Sequence, residues 1–246
     1  RLRRSWLHRL ADAQQWRRFL AFYQDDMGTT LRCHQLHALL QTGQRDAALT
    51  AAPDLWLHGE SRPDACDPLF DAWRAAGGLT PDLVWQRFAL AMAARQSGLA
   101  RYLMRYLPAS ERPLAERWLA IHRRPLQLLE EPTPLPAHAH RWDILAHAVA
   151  RQAGRDENQA ITLWLALQER YALPPAEHQR ITADLAEAVR RAMTARVEAW
   201  LRHQDPAAAS GEVRVRWTEA LAEAALLRAD WGWLHRLLSN APAELL

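Results

Sequence analysis

TPDLVWQRFALAMAARQS, residues 80–97, decides how the chain is read. Thr80 is a predicted N-cap, Pro81 falls at the first helical position, and Asp82 puts negative charge where a helix N-terminus favours it. Val84, Phe88, Ala91 and Met92 then recur near the 3.6-residue period that gathers them on one face. Gly98 is the predicted stop. A second short helix is expected over 99–107, closed by Pro108.

The same grammar continues in both directions. Helices are predicted near 2–13, 15–23, 30–42, 44–57, 64–76, 110–123, 139–153, 157–171, 175–203, 212–229 and 231–239. Most connections are short, the length that joins antiparallel neighbours. Two are longer: the polar turn QDDMGT at 24–29, and EEPTPLPA at 130–137, whose three prolines prevent continuous helix. About a dozen short amphipathic helices in a row predict an all-α fold of stacked antiparallel helical hairpins, an α-solenoid. RQSGLARYL at 95–103 loosely resembles RADWGWLHRLL at 228–238, and TGQRDAAL at 42–49 has a hairpin-type turn. No strict period of 34 residues emerges.

Composition supports the helical reading and excludes several functions. The 246 residues are rich in Ala and Leu and include only 9 Gly, which excludes an all-β fold. No GxGxxG or GxxxxGK[ST] pattern occurs, so no dinucleotide or nucleotide cofactor is expected. No run of 18 uncharged apolar residues exists, so no membrane span is expected. The chain starts at Arg1 without a signal peptide and is read as a mature or internal piece. All 31 basic side chains are Arg, yet 28 Asp and Glu leave a net charge of only +3. That is far from the dense basic stripe of a nucleic-acid binder.

The candidate chemical groups are few. Cys33 and Cys66 admit three readings: a disulfide, two free buried thiols, or a metal site with His37 and Asp67. The metal set is incomplete, and no metal is expected. His138, His140 and His147 form the densest histidine group, with His140 and His147 two helical turns apart. Trp6, Trp16, Trp56, Trp73, Trp85, Trp118, Trp142, Trp164, Trp200 and Trp217 are read as hairpin-packing core. Trp231 and Trp233 cannot share a face, so one of them is a candidate stacking surface. Glu130 and Glu131 are read as solvated loop residues. Arg1–Arg4, Arg17–Arg18, Arg123–Arg124 and Arg190–Arg191–Arg196 are read as solvated faces or as an Arg-lined groove for an acidic polymer.

Several blocks in order carry a family resemblance: WRRFLAF at 16–22, Cys33, TGQ at 42–44 with Ala47, LWLHGESRPDACDPLFDAWRAAG at 55–77, RFALAM at 87–92 and GLARYLMRYLP at 98–108. Over Trp16–Leu107 the chain resembles the superhelical U-domain of the soluble lytic murein transglycosylases. Residues 109–240 match in helical texture only, so 1–246 is read there as the same domain by continuity. The resemblance implies a right-handed superhelix that forms part of a ring. It implies that Cys33 and Cys66 are joined. It makes Trp56, Gly59, Ser61, Pro63, Asp67, Leu69, Phe70 and Trp73 a structural motif around the second Cys.

The family's chemistry implies the rest. A Glu in a separate lysozyme-like domain protonates the glycosidic oxygen, then acts as base while the sugar closes a 1,6-anhydro ring. The Gly-Leu-Met-Gln and Ala-Tyr-Asn-Ala-Gly segments of that domain do not occur in this chain, so the catalytic Glu is expected outside it. The resemblance therefore implies a non-catalytic periplasmic domain, with peptidoglycan glycan strands and the parent's own catalytic domain as partners. Two rivals stand beside it: an envelope helical-repeat scaffold for protein interactions, and an α-helical nucleic-acid binder, which the small net charge disfavours.

Overall fold

The computed structural model describes residues 2–245, and no strand forms among them. Arg1, a member of one basic run, lies outside the described residues. The chain divides into two units, Arg1–Leu119 and Ala120–Leu246. The first holds α1 (Leu2–Asp12), α2 (Trp16–Phe22), α3 (Thr29–Gln41), α4 (Arg45–Trp56), α5 (Asp67–Ala75), α6 (Pro81–Ala93) and α7 (Ser97–Leu103). The unit boundary falls within α8 (Arg112–Arg123). The second holds α9 (Gln127–Glu130), α10 (Arg141–Ala153), α11 (Glu157–Arg170), α12 (Pro175–Val189), α13 (Ala195–Arg202), α14 (Gly211–Leu227) and α15 (Trp231–Ser239). The all-α fold of stacked hairpins expected from the sequence is the one observed.

In the first unit each helix packs on the next along α1 to α5, and α6 packs on α7. α1 also touches α3, and α3 touches α5. In the second, α10 packs on α11 and α12, α12 on α14, α11 on α13, and α14 on α15. Contacts to both the next helix and the next but one are what hairpin stacking produces.

Side-chain caps explain several of the helix starts. Thr80 Oγ1 accepts from Leu83 N at 3.3 Å, Asp156 Oδ1 from Gln159 N at 2.9 Å, and Asp230 Oδ1 from Trp233 N at 2.8 Å. Each satisfies an amide that the first turn leaves without a partner.

The expected helix over 80–97 ends earlier, and the next one starts earlier than the expected residue 99. α6 ends at Ala93, Arg95 adopts φ 59°, and Gln96 N donates back to Ala91 O at 2.8 Å. This is a Schellman cap built without glycine. Gly98, the expected stop, sits inside α7. The expected helix over 175–203 is split in two. Thr194 Oγ1 caps α13 by accepting from Val197 N at 3.2 Å. Arg228 donates to the carbonyls of Arg190 at 3.1 Å and Ala192 at 2.5 Å, which the break leaves open. A distant side chain thus stabilises an interruption that periodicity alone does not show.

Cys33 on α3 is bonded to Cys66 in a short 3-10 turn, Asp64–Cys66, with Cα atoms 4.7 Å apart. Leu7, Leu10, Ala11, Phe19, Leu31 and Ala38 form an adjoining core with Trp16 and Tyr23 packed against it. His34 and His37 pack at its edge, the His37 ring centroid 4.7 Å from that of Trp16. Among the tryptophans expected in the core, Trp16 and Trp142 are only half-buried, and Trp6 departs furthest. It is 43% exposed, because Leu7, Leu10 and Ala11 form the inward stripe of α1 and Trp6 flanks it.

Two outcomes follow from this packing. The bond spans 33 residues, so its reduction is expected to lower unfolding stability by about 3–4 kcal/mol, measured by urea denaturation with and without reductant. Burial lowers the pKa of His34 from 6.5, with nearby His8 and His37 acting the same way, and burial also lowers His37 and His178. A lowered folded-state pKa means that the unfolded chain binds protons first as pH falls. Stability is therefore full above the unfolded value and is lost as pH drops through it. The urea midpoint is expected to fall from about pH 7 to about pH 5, and less steeply in His34→Gln; a flat midpoint over that range would contradict this.

Candidate functional site

The first unit holds a cavity of about 260 Å³ built from five segments that follow one another along the chain. The last turn of α4 supplies Trp56, and the connection 57–66 supplies Ser61 and Arg62. α5 supplies Asp67, Phe70 and Arg74, α6 supplies Arg87, and α7 supplies Gly98, Leu99 and Tyr102.

The connection is held in place by three local features. Arg62 Nε donates to Leu55 O at 2.8 Å, folding the segment back on α4. Gly59 lets the backbone approach α6: a Cβ there would lie 2.6 Å from Leu90 O and 3.0 Å from Ala94 Cβ. Pro63 leads into the 3-10 turn that ends at bonded Cys66.

Trp56 is the hub. Its ring lies 5.3 Å from Phe70 and 5.7 Å from Trp73, centroid to centroid. The Arg87 guanidinium carbon stands 4.1 Å over the same ring. Of the motif residues named from sequence, Trp56, Ser61, Asp67 and Phe70 line the cavity. Leu69 and Trp73 are buried in the adjoining core, and Gly59 and Pro63 shape the connection.

The electrostatics are unusual at Arg87. The residue is 4% exposed. Its one hydrogen bond among the described residues runs from Nη2 to Glu60 O at 3.5 Å, and its Nε has no partner. No carboxylate among the described residues pairs with it. Burial lowers its pKa to about 10, and the nearby Arg62 charge acts in the same direction. Burial also lowers Arg62. Arg74 differs: it pairs with Asp71 and donates to Tyr106 and to Phe70 O.

Of the basic runs singled out from sequence, three members are ion-paired. Arg190 and Arg191 share Glu223, and Arg124 pairs with Glu130 at 3.0 Å. The convergent arginines, Arg62 and Arg87, belong to none of those runs. The sequence signal for Arg87 is its register: with Val84, Phe88 and Ala91 it occupies the i, i+3, i+4, i+7 face that is otherwise apolar.

His140 and His147 each have a partner of their own. His147 Nε2 lies 2.9 Å from His122 Nδ1, and His140 Nδ1 lies 2.9 Å from Asp143. No group of three His, Cys, Asp or Glu converges as a metal cage among the described residues. Trp231 is the exposed member of its pair, at 66%, and Trp233 is buried.

Fold and site together define a helical-hairpin repeat protein with an arginine-rich pocket. Comparison with known proteins narrows this. The chain is 38% identical over 129 residues to the soluble lytic murein transglycosylase of Salmonella typhimurium, covering 52% of this chain and 20% of that protein. It is 34% identical over 160 residues to that of Escherichia coli, covering 65% and 25%. The crystal structure of the 70 kDa soluble lytic transglycosylase from Escherichia coli matches 99% of this chain and 39% of that one, at TM-score 0.77 and 27% identity. An inactive mutant of the lytic transglycosylase Slt from Pseudomonas aeruginosa matches at TM-score 0.78 and 26% identity, again over 99% of this chain. The chain is therefore similar in sequence and fold to the soluble lytic murein transglycosylases, and the aligned stretches cover no more than a quarter of the curated relatives' length. A family model for Cucumovirus coat protein matches residues 41–120, only 80 of the 246 residues, too small a share to show a family.

Gly59→Ala is expected to cost about 1–3 kcal/mol, because the added methyl meets a backbone carbonyl rather than a yielding side chain. Urea denaturation checks this, and an unchanged midpoint would contradict the close approach.

Proposed function

We propose that this chain is a non-catalytic helical domain of a periplasmic lytic murein transglycosylase, spanning residues 1–246. In this reading it positions peptidoglycan glycan strands and supports the parent's catalytic domain, which cleaves them to 1,6-anhydromuramyl products. The observation that carries it is the fold match over 99% of the chain to two lytic transglycosylases. The Cys33–Cys66 bond supports an oxidising compartment. The wall polymer carries lactyl and peptide carboxylates, and a surface whose basic side chains are all Arg suits them.

A second reading, an envelope scaffold for protein partners, draws on Leu226, Leu227, Trp231 and Leu238, which are exposed on α14 and α15. It differs in what it predicts for the wall polymer.

Sedimentation with purified sacculi separates the two. The chain is expected to pellet with sacculi at low salt. Retention is expected to fall several-fold at about 0.5 M salt, where exposed charges are screened within about 4–5 Å. It is also expected to fall when the sacculus carboxylates are amidated. Absence from the pellet at low salt would overturn the glycan reading and leave the scaffold.

A further inference from the structure

Arg87 poses a question that packing does not answer. A guanidinium that is almost fully buried is normally paired with a carboxylate and has its N–H groups satisfied. Arg87 has neither, since its Nε is without a partner and its one contact, to Glu60 O, is long at 3.5 Å. The ring of Trp56 beneath it supplies a cation–π contact at 4.1 Å, which attracts the positive charge but accepts none of its N–H donors.

The space beside it is shaped for an occupant. Arg62 and Arg87 line the same cavity, and among the described residues no acidic group within 4 Å neutralises either. Arg74 brings its own counter-charge, Asp71. Asp67 stands in the lining without pairing to any of the three. Counting Arg62, Arg87 and Asp67, the lining carries one net positive charge, which suits a monoanion better than a dianion. At about 260 Å³ the cavity lies just below the range of small-molecule pockets, about 300–1,000 Å³, so it fits a terminal group rather than a whole polymer. Phe70 and Leu99 give it an apolar side, and Ser61 and Tyr102 add hydroxyls.

We propose that this cavity is a binding site for a carboxylate-bearing ligand, held by Arg87 from its seat on Trp56 and by Arg62 across the cavity. A planar carboxylate can accept two parallel N–H bonds from one guanidinium, the geometry in which Arg recognition is strongest. The site itself stands on this geometry; only the assignment of its ligand to the peptide or lactyl carboxylates of peptidoglycan rests on the function proposed above.

The test uses the whole chain and three soluble probes. N-acetylalanine represents a peptide-type carboxylate and N-acetylmuramic acid a lactyl-type carboxylate, each paired with its methyl ester; inorganic phosphate is the third. Binding is read by calorimetry and by the Arg87 Nε–Hε resonance in NMR. At least one acid is expected to bind with a dissociation constant near 1 mM or tighter, as about two charge-assisted hydrogen bonds allow. Its ester is expected to bind at least tenfold more weakly. Arg87→Met should weaken the acid at least tenfold, while Arg101→Gln, a change at an exposed position on α7, should leave it unchanged. Which acid binds more tightly identifies the source of the carboxylate.

Three results would overturn the proposal: no binding of either acid up to about 10 mM, equal binding of acid and ester, or an Arg87 resonance that phosphate moves and neither acid does. Should Arg87→Met fail to fold by circular dichroism, Arg62→Gln and the resonance in the unaltered chain decide the matter. Loss of sacculus retention would count against the proposed function and leave this site standing. A silent Arg87 resonance would do the reverse.

Discussion

The covalent link from Cys33 to Cys66 is the constraint on which the first unit's site depends. It ties the middle of α3 to the segment that opens α5, with Cα atoms 4.7 Å apart. The connection 57–66 has no helix until its last turn, and ordering each of its residues costs about 1–2 kcal/mol of backbone entropy. Its own apolar content is slight, so it cannot offset that cost by burial alone. Instead it is fastened at one end by the sulfur bridge, in the middle by Gly59 lying against Leu90, and near its start by Arg62 reaching Leu55 O. Those three fixings also set where Arg62, Ser61 and Asp67 stand relative to Trp56.

A second device recurs along the chain. Gln14, Gly43, Gly77, Arg95 and Ala229 all adopt positive φ just after a helix. In each case the next amide donates back five residues: to Leu10, Leu39, Trp73, Ala91 and Ala225. This closes the orphan carbonyls of the last turn and reverses the chain within two or three residues. Three of the five positions are not glycine and carry a strain of roughly 1–3 kcal/mol each. In most of these turns the next helix begins almost at once, and its packing onto the previous one holds the strained residue in place.

These turns explain what the sequence made legible. The apolar period reveals helices wherever it is long, and TGQ at 42–44 reveals its own turn because glycine marks positive φ. Arg95 and Ala229 give no such mark. The glycine that the sequence does offer, Gly98, lies three residues past the observed turn at Arg95. The break between α12 and α13 was hidden for a different reason: Arg228, far along the chain, satisfies the carbonyls that it opens. At the site, Trp56, Asp67 and Phe70 were legible through the block at 55–77, but as packing residues. The convergence of Arg62 with Arg87 was not, because the two are 25 positions apart and neither sits in a run of like charge.

The energetics at Arg87 point in one direction. Burying an unpaired charge costs several kcal/mol even after the protein relaxes, and a cation–π contact returns about 0.5–2 kcal/mol. A methionine or leucine in the same place would pack on Trp56 and Phe70 with no desolvation cost. Folding alone therefore favours an apolar residue at position 87, in keeping with Val84, Phe88 and Ala91 around it. Chains tend to depart from local consistency where a site must be kept ready for something else. Here the departure is confined to one side chain, opens onto a cavity of about 260 Å³, and stands on a segment held by a disulfide. A charge kept short of partners in a rigid setting loses no further conformational freedom when a partner arrives. The cost already met in folding thus makes the pocket selective for a group that can accept its hydrogen bonds.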